Sequence, residues 1–189
     1  MLILEKELSF KVEIGDFFTR IKQLDLGPIA YKLMHPETGS GWTRDRVSRA
    51  LTRYLMFLCL LYLYPHLAIA PNREIDRVWH QHILDTSKYA EDCQMLFGRF
   101  IHHFPYFGIR DEGDRQQLDL AFQQTQSLFD RHFGVILAEA STDTDDESNE
   151  ESKSDSQDPG VCVLLEQTQT NRPTVNIAID LPNSIAHLG

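Results

Sequence analysis

The chain is poor in the residues that announce most familiar chemistries. It has three cysteines in 189 residues, Cys59, Cys93 and Cys162, far apart and without a CxxC pair. That excludes a disulfide-stapled scaffold and suits a reducing cytosol, so a cytoplasmic protein is expected. There is no glycine-rich phosphate loop and no GxSxG elbow, so neither a nucleotide cofactor nor a hydrolase serine is expected. Lysines and arginines do not gather with aromatics into one face, which speaks against a nucleic-acid partner. Hydrophobic runs are short. Tyr54 to Pro71 is uncharged for 18 residues, but Pro65 and His66 interrupt it. The apolar part before Pro65 is about ten residues, half of what a membrane span needs, and reads as a buried core helix. Met1 to Lys6 is charged too early for a signal peptide.

What is present is a globular composition, 42% hydrophobic and 10% aromatic, with a formal net charge of −10. The acidity is local. Asp143 to Asp158 holds eight acidic residues and one Lys, net −7, which leaves −3 for the other 173 residues. The body is therefore nearly neutral, and neither nucleic acid nor an acidic membrane surface is implied. Ser141 to Gly160 has almost no apolar residues and is expected to be a disordered linker.

The residue pattern predicts a mainly α fold: a compact bundle of about five helices, the disordered acidic linker, and a short C-terminal β appendage. Asp16 is a candidate N-cap for a short helix over Phe17 to Leu24, and Pro28 fits the first turn of another, to about Met34. Thr43 should cap the central helix, in which Val47, Ala50, Leu51, Tyr54, Leu55 and Leu58 follow the helical period. Beyond Leu58 that helix is apolar all round, as a buried helix is. Asn72 should cap the next helix, to Leu84. Asp85 or Thr86 should cap a further one, to about Phe97, with Gly98 ending it. His102 to Arg115 reads as a loop. Gln116 to Glu139 reads as the last helix, with Leu118, Phe122, Phe129, Phe133 and Ile136 on one stripe. Val161 to Leu165 and Thr174 to Ile179 read as strands, paired with each other or with the N-terminus, docked on the helical body or engaging a partner. The parts are residues 1–140 (helical domain), 141–160 (linker) and 161–189 (β appendage or partner-binding tail).

Four of the eight histidines, His80, His82, His102 and His103, fall within 24 residues, with Asp76, Asp85 and Cys93 beside them. On a helix advancing 100° per residue, Ile75, Val78, Trp79, His82 and Ile83 form one apolar stripe with His82 in its middle. Asp76 and His80 lie on its flank as an i, i+4 pair, close enough to share a metal or a hydrogen bond. His80 and His82 stand about 160° apart and cannot both bind one ion while the helix stays regular. His102 and His103 are adjacent, so in extended backbone one of them faces the cluster, with His103 favoured because it lies nearer the Phe104-Pro105 turn. Asp76, His80 and one of this pair make a two-His, one-carboxylate set that suits Zn or non-haem Fe with open positions. The competing reading is architectural. A His on an apolar stripe is often a hydrogen-bonded core residue, and Asp76–His80 is then a plain orienting pair. Trp79, His82, Asp85 and Cys93 complete the set as a second shell or a structural network. Cys93 with a nearby His is also a candidate thiolate pair.

The run Asp76-x-x-Trp79-His80-x-His82-Ile-Leu-Asp85-Thr86, then Tyr89, Cys93, Phe97-Gly98 and His102-His103-x-Pro105, resembles the signature of the glycine-rich-domain-containing-protein-like family. The resemblance covers roughly Gly15 to Gly134. It implies an α-helical body of unknown biochemical function, found in bacteria and, in longer forms, in plants, where it is associated with stress and growth responses. This chain has only ten glycines and no glycine-rich tail, so a role carried by such a tail does not transfer.

Two functional expectations follow. One is a domain binding a divalent metal through Asp76, His80 and His103 or His102, of oxidative or hydrolytic character if catalytic. The other is a non-catalytic interaction module that uses Phe104, Tyr106 and Phe107, or the C-terminal strands, to bind a protein.

Overall fold

A 20-residue helix runs through the middle of the molecule, and the other elements are laid against it. The computed structural model describes residues 13–37, 39–137 and 172–181. Six helices are found among them: α1, described over 13–21; α2, Gly27–Met34; α3, Arg44–Leu63; α4, Arg73–Leu84; α5, Thr86–Phe97; and α6, Glu112–Phe133. The chain is mainly α, as its periodicity predicts. The acidic segment 141–160 and the predicted strand Val161 to Leu165 lie outside the described residues.

Local signals explain where the helices start and stop. The side chain of Thr43 accepts from Arg46 N at the start of α3, and that of Asn72 accepts from Ile75 N at the start of α4. Asp85 accepts from Lys88 N at the start of α5, and Gly98 ends it at φ 65°, a conformation glycine adopts without a Cβ penalty. The face of α3 that touches α2, α4 and α6 carries Val47, Ala50, Leu51, Tyr54 and Phe57, all at 0% exposure. Of these, the Val47, Leu51 and Phe57 side chains each contribute about 1.5–3 kcal/mol on burial.

Two helices depart from expectation. Ile14, Phe17 and Ile21 form the buried row of α1, each 1% exposed, so the helix has begun by residue 13 and Asp16 is not its cap. The Phe17 ring stacks on Tyr62 of α3 at 4.0 Å, and Tyr62 Oη donates to Glu13 O. The last helix starts earlier and ends earlier than Gln116 to Glu139. Asp111 accepts from Asp114 N as its N-cap, and Gly134, at φ 64°, ends it after Phe133. Ile136 is therefore beyond the helix and 78% exposed. Thr125 Oγ1 accepts from Ala70 N, and Tyr64 Oη pairs with His132 Nε2 at 2.6 Å, so α6 is tied to the connection between α3 and α4.

The C-terminal β appendage is a correction. No strand occurs among the described residues, and 172–181 is an irregular extended segment lying on the helices. Its period-2 pattern does mark alternate burial: Val175, Ile177, Ile179 and Leu181 pack against the core, while Thr174, Asn176, Ala178 and Asp180 are exposed. The alternation reports an extended chain with one covered face. Here the covering surface is helical, so no ladder forms.

Candidate metal centre

The site is built on α4. Ile75, Val78, Trp79 and His82 are its buried face, which leaves Asp76 and His80 on the flank. His103 reaches them from the loop after α5. That loop is anchored by a relay: Trp79 Nε1 donates to Tyr89 Oη at 2.9 Å, and Tyr89 Oη donates to Ile101 O at 2.6 Å. Burial pushes the Tyr89 phenol well above its ordinary range, so it keeps its proton and remains a donor. With Ile101 held, the His103 ring packs edge-on against Trp79 at 4.6 Å between centroids. Its Nε2 donates to Asp76 Oδ1 at 2.9 Å. His80 Nδ1 lies 3.6 Å from Asp76 Oδ2, and the two imidazoles are 4.6 Å apart.

Asp76, His80 and His103 therefore each present a ligand atom, all within 4.8 Å of one another. Ligand atoms bound to one ion at about 2.1 Å stand about 3.4 Å apart in a tetrahedron. A pair at that outer limit must contract by about 1.4 Å to close on a metal, and the His80 side chain, 48% exposed, has room to turn. That exposure also leaves one side of the group open.

His102, the alternative to His103, is exposed, its ring lies against Phe100 at 4.9 Å, and it does not join the group. The remaining sequence candidates do not converge on it either. His82 is 1% exposed; Tyr54 Oη meets its Nδ1 at 2.9 Å and Asp92 Oδ2 meets its Nε2 at 2.8 Å. A carboxylate only accepts, so Nε2 carries a proton, and in the neutral ring Nδ1 accepts from Tyr54. Burial raises the Tyr54 phenol far above its ordinary value. Lys88 Nζ reaches the same Asp92 oxygen at 2.9 Å. Burial alone would raise the Asp92 carboxyl, but the hydrogen bonds from His82 and Lys88 outweigh it and hold it low. His82 thus orients the core rather than the candidate ligands.

Asp85 is likewise not an orienter of the group. It caps α5 and takes Arg172 in a two-pronged ion pair, Nε to Oδ2 at 2.6 Å and Nη2 to Oδ1 at 3.0 Å. Hydrogen bonds from Arg172 lower its carboxyl. Cys93 is 3% exposed, and burial raises its thiol, which argues against a thiolate pair. Phe104 and Tyr106 are 58% and 59% exposed and meet edge to face, with Phe107 half-buried beside them. Trp79 does act behind the group, through the relay that fixes the His103 loop.

Tyr54, Lys88, Tyr89 and Asp92 carry these networks without having been singled out for them in the sequence. A signal was present for Asp92. Tyr89, Asp92, Cys93 and Leu96 share one row of α5, so a carboxylate sits in an apolar stripe just as His82 does on the neighbouring helix.

A family model described as UCP032817-like matches residues 31–127. No curated protein and no solved structure matches the chain. The match spans about half of the sequence and takes in α3, α4, α5 and the loop that carries His103. The chain belongs to this family, which is uncharacterised.

Proposed function

We propose that this member of the UCP032817-like family binds a divalent cation through Asp76, His80 and His103. The convergence of those three side chains carries the reading. Two imidazoles and one carboxylate from a helix flank and an anchored loop suit Zn or non-haem Fe. Three protein ligands leave coordination positions for water or a substrate, so hydrolytic or oxidative chemistry is open to such a centre. On this reading the ligands are the same residues that carry the resemblance to the glycine-rich-domain-containing-protein-like family. Cys59 and Cys93 are free thiols, which suits a reducing, cytosolic setting. No helix among the described residues is long and apolar enough to cross a membrane. The exposed Phe104–Tyr106 pair begins one residue after His103, where it would border whatever approaches the metal.

One observation favours the second reading, an interaction module without a metal. Asp76 is already engaged by His103 at 2.9 Å, as an orienting pair would be. Elemental mass spectrometry separates the two. Tag-free protein purified without chelators is compared with an Asp76→Ala/His80→Ala variant whose helical circular dichroism is intact. About one equivalent of Zn or Fe in the parent and none in the variant is expected. If neither sample holds metal, even after reconstitution with Zn(II) or Fe(II), the metal reading is wrong.

A further inference from the structure

Residues 172–181 lie on the helical body in the manner of a bound ligand. Arg172 clamps Asp85 and also donates to Ser87 Oγ at 2.9 Å. Val175 N donates to Gly27 O at 3.3 Å. Two backbone carbonyls are then taken by side chains of α3: Asn176 O by Arg44 Nη1 and Ala178 O by Ser48 Oγ, each at 2.5 Å. The spacing explains the pairing. Donors four residues apart on a helix are separated by about 6 Å along its axis. Carbonyls two residues apart on an extended chain are separated by about 6.6 Å. The helix thus presents one donor for every second carbonyl, and the intervening side chains turn to the core.

The body is shaped for this segment. A Cβ added to Gly27 would collide with the Thr174 hydroxyl and stand 3.0 Å from Val175 O, so glycine at the start of α2 is what admits the backbone. Yet the segment is not packed like a core element. Val175, Ile177, Ile179 and Leu181 are only half-buried, and a pocket of about 380 Å³ is lined jointly by the segment and by Leu24 to Gly27. Arg44, Ser48, Asp85 and Ser87 all lie within residues 31–127, the part matched by the family model, whereas the segment lies outside it. The side chains that take the segment's arginine and carbonyls thus come from the matched part, whereas Gly27, like the segment, lies outside it.

We propose that this groove is a recognition site for extended peptides. Residues 172–181 are the ligand it holds in the free protein. In trans it accepts a partner segment with an Arg followed by apolar residues three, five, seven and nine positions later. Backbone hydrogen bonds supply part of the affinity, and the Arg and alternate apolar side chains supply selection. A tethered ligand competes at an effective concentration in the millimolar range, so the wild-type chain masks its own groove. This site is separate from the Asp76/His80/His103 group and stands or falls without it.

The test uses the full chain. Arg172→Glu/Ile177→Asp disables the internal ligand. A fluorescein-labelled synthetic peptide spanning residues 171–183 is titrated against this variant and against wild type, read by anisotropy. Binding at least tenfold tighter to the variant is expected, and adding Gly27→Val or Ser48→Ala to the variant should weaken it again. Dimerisation of the wild-type chain that the segment substitutions abolish would also support the groove, with a second copy as the partner. No binding to the folded variant at peptide concentrations up to about 1 mM would overturn the proposal. Loss of helical signal in the variant would overturn it too, because the segment would then be part of the fold.

Discussion

Replacing His82 by Leu is the sharpest perturbation of the core, because it separates architecture from metal binding. The side chain is of similar volume, so the cavity cost is small and the polar consequences dominate. Tyr54 Oη, on a residue with 0% exposure, loses its hydrogen bond to His82 Nδ1 at 2.9 Å. A buried hydroxyl left without a partner costs about 1–3 kcal/mol. Asp92 loses one charged hydrogen bond, worth about 1.5–3 kcal/mol, but keeps Lys88 at 2.9 Å, so only part of that is felt. The expected loss is about 2–4 kcal/mol, or a melting temperature lower by about 4–16 °C for a chain of this size. Adding Tyr54→Phe removes the stranded hydroxyl and should restore about 1–3 kcal/mol, a coupling that a double-mutant cycle in urea would measure. Metal content should stay at the wild-type level. Unchanged stability in His82→Leu, or a double variant no better than the single, would refute the network. Loss of metal from a folded His82→Leu chain would refute its separation from the candidate ligands.

Acid should unfold the protein through carboxylates held low in the folded state. Hydrogen bonds from Arg172 lower Asp85, and those from His82 and Lys88 overcome burial at Asp92. At Asp114 the Arg110 guanidinium, joined by the Arg110 and Gly108 amides, brings the carboxyl to about 2. Each is more readily protonated in the unfolded chain. Their contribution is therefore complete above the unfolded value of about 3.9 and disappears as pH falls through the folded values. Asp114→Asn should flatten the loss of stability between about pH 4 and about pH 2 in a denaturation series; an unchanged slope would count against the assignment. Cys59 and Cys93 should resist iodoacetamide at pH 7.5 in the folded chain and react in urea, because burial raises both thiols. Rapid native alkylation of Cys93 on peptide mapping would contradict its environment.

What could be read in advance was local. Thr43, Asn72 and Asp85 cap their helices because a short polar side chain meets amides two or three residues on. The angular placement of His82 needed only the helical repeat. What could not be read depended on which surfaces meet. Asp111 was hidden in an aromatic loop, and its cap begins a helix whose first turn contains Gly113, a weak helix former. The alternation from Val175 to Leu181 reports one covered face but not the nature of its cover, so a chain lying on helices reads as a strand. The choice between His102 and His103 was settled by the anchor at Ile101 O, which comes from Tyr89 twelve residues earlier. That bond sets which of two neighbouring imidazoles turns toward Asp76.

The pairing of Asn176 and Ala178 with Arg44 and Ser48 works like a vernier scale. The two rulings differ by about 0.6 Å per step, a slip that two consecutive bonds absorb and a longer series does not. The next graduation on the helix, Thr52, already spends its hydroxyl on Ser48 O at 3.0 Å. The instrument therefore measures a fixed, short length of backbone. Lengthening a ligand beyond it adds no further rung, and affinity can grow only through the arginine at one end and the apolar side chains between.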